Sequence, residues 1–450
     1  MSHWSDSLLL TDLYQLTMLQ GYFAQGMNAT AVFELFVRKL PGKPERKRNF
    51  LMAAGLQQAV EFLEQARFSA DEIAWLRSTR RFSGEFLDML AEWRFSGDVN
   101  ALPEGTVFFP NEPILRVAAP MPEAQLVETR LINLLHFETL IASKAARMTL
   151  TAPGKLLVDF GLRRAHGAEA GLLAARAAYL AGFSGTSNVL AGRLWDIPIY
   201  GTMAHSFVQA HDDEVSAFEH FAKAQPDNLV LLIDTYDTEA AAEKLIPLAR
   251  RLGELGIRIQ GVRIDSGDLA EHARKVRAIL DRGGLGHVHI FASGSLDEYV
   301  LAEYSANAVP IDGYGIGTHM DTSADAPYLD CAYKLQEYAG VPRRKRSEGK
   351  ATYPGRKQVY RYYDEADRMV RDSLTLISAP ESGEPLLRPV MRNGKRIDTL
   401  PTLEESRAHA LAQLARLPDV LRGVEPAPPY PVEVAAELQA LVRSMESDGG

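Results

Sequence analysis

The stretch NLVLLIDTYDTEAAAEKLIPLARRLGELGIRIQGVRIDSGDLAEHARKVRAILDRGGLGHVHIFASGS, residues 228–295, decides the fold class. NLVLLIDTYDT (228–238) is a short apolar run ending in polar residues, and it precedes a helical pattern from Glu239 to Leu255. RIQGVRIDSGD (258–268) precedes another helix, Leu269–Asp281, and HVHIFASGS (287–295) precedes a third, Asp297–Tyr304. Strand, polar loop and helix in strict alternation are the mark of a parallel α/β sheet or barrel.

The rhythm extends in both directions. Upstream, LLVDFG (156–161) precedes a helix from His166, while FSGTSN (183–188) and DIPIYGTMAH (196–205) each precede a short helix. Downstream, IDGYGIGTHM (311–320) closes the series. Before residue 125 the texture is mixed. It contains a helix over Leu8–Phe23 capped by Thr11 and Asp12, a strand over Ala31–Val37, a helix over Asn49–Ala66 and two strands within Gly105–Val117. Pro122–Met148 reads as one long helix, and the last 120 or so residues are basic, turn-rich and strand-like before ending in helices. The expected division is 1–125, 126–332 and 333–450, with the last part returning to the first.

Lys plus Arg number 49 and Asp plus Glu 58, giving a net charge of −9, which argues against nucleic-acid binding over a broad face. The single cysteine, Cys331, rules out an intramolecular disulfide and a Cys-rich metal site. Residues 1–10 lack the basic flank of a signal peptide, and no run approaches the roughly 18 apolar residues of a membrane span. The expected location is the cytoplasm, with no membrane contact.

In parallel α/β folds chemistry gathers where the strands end. Polar or glycine-rich residues fall there in unit after unit, among them Asp159-Phe160-Gly161, Ser184–Ser187, His205-Ser206, Asp234–Asp237, Arg263 with Asp265–Asp268, Ser293–Ser295 and Gly313–Thr318. SGTSN (184–188) and GYGIGT (313–318) suit phosphate through backbone N–H groups and hydroxyls. In RIDSGD (263–268) the carboxylates can accept ribose hydroxyls or hold Mg²⁺ through water, and Arg263 can stack on a ring or grip an anion; an ion pair at a strand end is the plain alternative. A lone histidine such as His205 is more often structural, although a neutral imidazole can also carry a phosphoryl group. His211, without an H-E-x-x-H motif, does not point to zinc, and His287 and His289 lie at a strand start, away from the rim.

Taken together, LLTDLYQLTM (9–18), FELFVRKLP (33–41), FPNEPILRV (109–117), DFGLRRAHG (159–167), GFSGTSN (182–188), GTMAHSF (201–207), LIDTYDT (232–238), GVRIDSGDL (261–269), ASGSLDEY (292–299), IDGYGIGT (311–318) and YPGRKQVYR (353–361) resemble the nicotinate phosphoribosyltransferase family. The resemblance implies an irregular α/β barrel of the type II phosphoribosyltransferase kind plus a mixed α/β sandwich made from both chain ends. It implies a homodimer with shared active sites. The implied reaction joins nicotinate to phosphoribosyl pyrophosphate, with Mg²⁺ and with ATP as co-substrate through a phosphohistidine.

Carried over by resemblance, His205 is the phosphorylated histidine, Phe160 stacks on the pyridine ring with Arg263 on or near it, and Tyr14, with Asp12 beside it, comes from the partner subunit. Arg163 and Arg263 serve the nicotinate carboxylate or the phosphate, Asp265 meets the ribose, and Gly294, Gly315 and Thr318 meet the 5′-phosphate. Ser206 follows His205 in the same motif and is expected at the substrate. Ser347, Lys350 and Lys357 are expected near pyrophosphate or ATP. Ser187 stands where the similar nicotinamide enzymes carry an aspartate, which would repel the carboxylate of nicotinate, so serine favours the acid. The alternatives are a nicotinamide phosphoribosyltransferase, a quinolinate phosphoribosyltransferase that shares the barrel plan, and a sugar-phosphate-binding regulator without catalysis.

Overall fold

The computed structural model describes residues 7–345 and 352–447. The chain divides into two compact units, Met1–Ser143 with Tyr328–Gly450, and Lys144–Pro327.

The first unit is assembled from both ends of the chain. Its larger sheet has seven strands in the order Val341–Pro342, Cys331–Tyr338, Thr30–Val37, Pro113–Pro120, Asp98–Ala101, Arg388–Arg392 and Lys395–Arg396, all antiparallel. Thr30–Val37 is an interior strand, and every residue after Thr30 is buried, so both of its faces are covered. That includes Glu34, which is 0% exposed and pairs with Lys357 Nζ at 2.7 Å. A second sheet runs Glu384–Pro385, Lys357–Tyr363, Met369–Leu376 and Val432–Val434. These sheets with their helices form the α/β sandwich expected from both chain ends.

Three local expectations give way in this unit. The segment 49–66 is not one helix: Leu51–Met52 is a strand, and the helix begins only at Leu56. Gly55, at φ +94, turns the chain between them, and a Cβ there would press on Leu134 O at 3.1 Å. The long helix after Pro122 is two, Met121–Leu126 and Glu128–Thr151. Asp12 stands at the N-terminus of helix Leu13–Ala24 without capping it, because its carboxylate accepts a hydrogen bond from Thr129 Oγ1 at 3.2 Å instead.

The second unit holds six parallel strands in the order Gly185–Thr186, Leu156–Asp159, Gly313–Ile316, His289–Ser293, Ile259–Ile264 and Leu229–Leu232. The sheet is curled. Residues from near both edges, Leu156 and Tyr200 on one side and Val230 on the other, line one shared open pocket of about 440 Å³, most of whose lining lies at the strand starts. This is the irregular α/β barrel. DIPIYGTMAH supplies no strand: Ile199 makes only an isolated parallel bridge to Thr186 before the helix His205–Gln209. The helices Thr238–Glu254, Leu269–Arg282 and Glu298–Ala306 each start on an aspartate, Asp237, Asp268 or Asp297, whose side chain accepts from backbone N–H groups of the first turn.

In the first unit the ion pair of Arg361 with Asp372 is fully buried and bidentate, at 2.9 and 2.6 Å. Arg361 also donates to Val107 O and Gln413 Oε1. Removing one partner of such a pair strands the other charge away from water. Asp372→Ala should therefore cost about 3–5 kcal/mol, read as a lower urea midpoint; a loss below about 1 kcal/mol would contradict the role given to this pair.

Candidate functional site

The ends of three adjacent parallel strands meet at one carboxylate. Asp265 follows the strand Ile259–Ile264. Its Oδ1 accepts from Ser293 Oγ at 2.6 Å, and its own N–H donates to Asp234 Oδ2 at 2.9 Å. Ser266 Oγ donates to the same Asp234 oxygen at 2.6 Å, while Asp234 Oδ1 is buried without a partner. Asp234 follows the strand Leu229–Leu232, and Ser293 ends the strand His289–Ser293.

His205, the first residue of its short helix, faces this cluster. Its Nδ1 lies 3.1 Å from Thr235 Oγ1, and its Nε2 lies 3.8 Å from Asp265 Oδ2. Both side chains remain about one-third exposed, at 38% and 30%, so the pair is open to solvent or a ligand. Ser206 next to it is exposed. Arg263 sits one step inside the strand. Burial pulls its guanidinium pKa down, opposed by Asp265 and Asp234 and assisted by Arg163. Its Nε is buried without a partner. Arg163 itself is exposed on the turn Leu162–Arg164.

A second group gathers around Phe160. The ring lies 5.8 Å from that of Phe291, and both line the open barrel pocket with Tyr200. Gly315 is buried in its strand under these rings, and a Cβ there would come within 2.6 Å of Phe160 Cδ2. Gly315 is thus the gap that lets Phe160 lie flat. Ser187 is half-buried and held by its N–H donating to Asp159 O at 2.8 Å. Thr318, exposed, opens the short helix Thr318–Asp321. Gly294 takes φ +103 where the chain passes Asp265.

Within the second unit, then, His205, Arg263 and Asp265 gather with Gly294, and Phe160 gathers with Gly315. Asp268, paired with Asp265 in the RIDSGD motif, is a helix cap and so is separated from it in role. Asp12 and Tyr14 are exposed residues of the first unit, and Tyr14 is 49% exposed. Burial, then Glu128 and Asp12, push the Tyr14 hydroxyl pKa up. Lys357 faces inward: besides Glu34, its Nζ donates to Tyr353 O at 2.7 Å and Gly355 O at 2.9 Å. Burial pulls its pKa down. Ser347 and Lys350 lie outside the described residues. Thr235 and Ser293, which the sequence places on the rim only as members of polar loops with no role of their own, orient the site, because a hydroxyl at a strand end looks like any turn residue.

Family models match along the chain in order. The nicotinate phosphoribosyltransferase N-terminal domain matches residues 9–136, the nicotinate phosphoribosyltransferase family 156–349, and the C-terminal domain 377–442. Nicotinate phosphoribosyltransferase pncB2 of Mycobacterium tuberculosis is 51% identical over 432 residues, 96% of this chain and 92% of that protein. The chain belongs to the nicotinate phosphoribosyltransferase family. A nicotinate phosphoribosyltransferase of Bacillus subtilis is 40% identical over 80% of this chain and 74% of its own length. Among solved structures, human nicotinic acid phosphoribosyltransferase superposes with a TM-score of 0.85 at 32% identity, covering 97% of this chain and 99% of that one. A nicotinate-nucleotide pyrophosphorylase from Pyrococcus furiosus gives 0.75 at 25% identity, covering 92% and 96%. Both solved structures share the fold of this chain.

Gly294→Ala would strain a left-handed backbone and drive a Cβ to within 2.6 Å of Asp265 O. The expected loss of stability is about 1–3 kcal/mol, measured by urea unfolding; a variant as stable as wild type would show that the loop relaxes freely.

Proposed function

We propose that the protein is a nicotinate phosphoribosyltransferase that forms nicotinate mononucleotide and pyrophosphate, coupled to ATP through a phosphohistidine on His205. What carries the activity is the 51% identity, over 96% of the chain, with a nicotinate phosphoribosyltransferase of M. tuberculosis. The clustering of His205, Arg263 and Asp265 at the strand ends supports the assignment of roles.

In this mechanism the pyridine nitrogen attacks ribose C1 as the bond from C1 to pyrophosphate breaks. No general base is required, since that nitrogen carries no proton. The residues therefore position the reactants and stabilise charge. Phe160 offers a ring face in the barrel interior, and Arg263, half-dry with an unpartnered Nε, offers a cation to the nicotinate carboxylate or to phosphate, with the exposed Arg163 beside it. Asp265, held by Ser293, is placed to accept ribose hydroxyls. The strand-end backbone at Gly294 and Thr318 is assigned to the 5′-phosphate. Gly315, buried under Phe160, would act there through the ring rather than by direct contact.

Mg²⁺ would add positive charge to the leaving pyrophosphate. No cluster of three or more potential metal ligands occurs among the described residues. The ion would therefore be held mainly by substrate phosphates, and the unpartnered Asp234 Oδ1 with Asp265 supplies carboxylate oxygens suited to it or to its waters.

For the coupled step, the tautomer in which His205 Nδ1–H donates to Thr235 Oγ1 leaves the Nε2 lone pair free. Nε2 attacks the γ-phosphorus of ATP, ADP leaves, and hydrolysis of the phosphoramidate resets the cycle. In a homodimer, the exposed Leu13 and Tyr14 are the surface offered to a second copy.

Purified protein with phosphoribosyl pyrophosphate and Mg²⁺ should convert nicotinate in preference to nicotinamide, with ATP raising the rate. His205→Ala should keep a basal rate but lose the ATP effect. Ser187→Asp should lower kcat/KM for nicotinate at least about tenfold, equivalent to ~1.4 kcal/mol, while sparing nicotinamide. Preference for nicotinamide by the wild type would overturn the substrate assignment.

A further inference from the structure

Below the rim two carboxyl groups meet without a cation between them. Asp159, at the end of its strand, is 0% exposed. Its Oδ1 accepts from Gly161 N–H at 2.7 Å and its Oδ2 from Thr186 Oγ1 at 2.6 Å. Asp321, the last residue of the helix Thr318–Asp321, is 1% exposed, and neither of its oxygens has a conventional donor. Its carboxyl group lies on the backbone of Gly161: a Cβ there would fall 2.1 Å from Cγ and 2.3 Å from each oxygen.

Two carboxylates in a dry site cannot both ionise, because each charge is denied water and repels the other. Asp159, with two donors, keeps the negative charge, and Asp321, with none, keeps a proton. We propose that Asp321 is a positioning residue acting as a neutral carboxylic acid, donating its proton to Asp159 and so locking together the loops that carry Phe160, Ser187 and Thr318. Asp159 holds Gly161 N–H and the Thr186 hydroxyl, and its carbonyl holds Ser187 N–H. The bond from Asp321 adds the third loop.

Burial, then the charge of Asp159, push the Asp321 pKa well above the usual carboxyl range. Burial also raises Asp159, opposed by hydrogen bonds from Thr186, Gly161 and Asp321. Of the basic groups on the neighbouring elements, Arg163 and Arg164 on the turn Leu162–Arg164 are exposed. Arg176 on the helix Ala168–Leu180 is buried with contacts of its own, and His319 lies on the same short helix as Asp321.

The inference about substrate binding rests on the proposed activity; the protonation state does not. In the folded protein Asp321 holds its proton, while in the unfolded chain it releases it above about pH 4. Its contribution to stability is complete below that range and is lost as pH rises towards and through the folded value. Asp321→Asn has the same shape, donates an N–H and never ionises. Tm of wild type should therefore fall relative to Asp321→Asn between pH 5 and 8, by about 2 °C or more per pH unit. An infrared difference spectrum at pH 7 should show a protonated-carboxyl band in wild type that Asp321→Asn lacks. In kinetics, Asp321→Ala should raise KM for nicotinate about tenfold with a smaller effect on kcat, and Asp321→Asn should restore KM to within about threefold of wild type. Parallel Tm curves with no such infrared band would overturn the proposal even if Asp321→Ala fails to fold, as would an Asn variant as impaired as the Ala variant. Absence of any turnover by wild type would instead defeat the proposed activity and leave the stability and infrared comparison to decide the state of Asp321.

Discussion

The site depends on how one anion, Asp265, is held. Its strand is flanked by two others, and each flank supplies a restraint: Asp234 accepts the Asp265 backbone N–H, and Ser293 donates to the side chain. A strand-end carboxylate tied at both backbone and side chain loses little freedom when a ligand arrives, which is the physical meaning of preorganisation. His205 gains its place from the same arrangement, since Thr235 and Asp265 stand on either side of its ring. Parallel strands make this possible because all their C-terminal ends lie on one side of the sheet.

The aromatic side of the site follows a different logic. Phe160 and Phe291 occupy the barrel interior because glycine stands at 313 and 315, where any side chain would collide with the rings. In the proposed reaction a flat, anionic base would meet an apolar ring face at Phe160 and a partly dried guanidinium at Arg263, each weak alone.

The barrel is legible in the sequence because apolar runs and helices alternate; the helices expected from Glu239, Leu269 and Asp297 begin at Thr238, Leu269 and Glu298, each behind an aspartate cap. DIPIY imitated a strand since apolar residues before a polar turn look alike whether they pair or not; only tertiary pairing decides, and Ile199 found a single bridge. Asn49–Ala66 reads as a single helix because local propensity does not register the left-handed turn at Gly55. Lys357 looked like a free cation within a basic run, yet its partner Glu34 is more than 300 residues away in sequence. Asp321 was invisible for the same reason: nothing near it in the chain reveals that Asp159 lies opposite.

The pairing of Ala31 with Tyr338 in the seven-stranded sheet has a consequence for biosynthesis. On a ribosome adding about 5–20 residues each second, the strand Thr30–Val37 waits on the order of 15–60 s for the neighbour on its second edge. Its other edge is covered much sooner, by Pro113–Pro120. During that interval the nascent chain carries an apolar, half-paired strand, the kind of surface that recruits chaperones or another unfinished copy. The barrel strands, by contrast, all lie within one continuous stretch and can pair as they emerge. The order of synthesis therefore favours completing the barrel before the sandwich, which needs the returning segment from Tyr328.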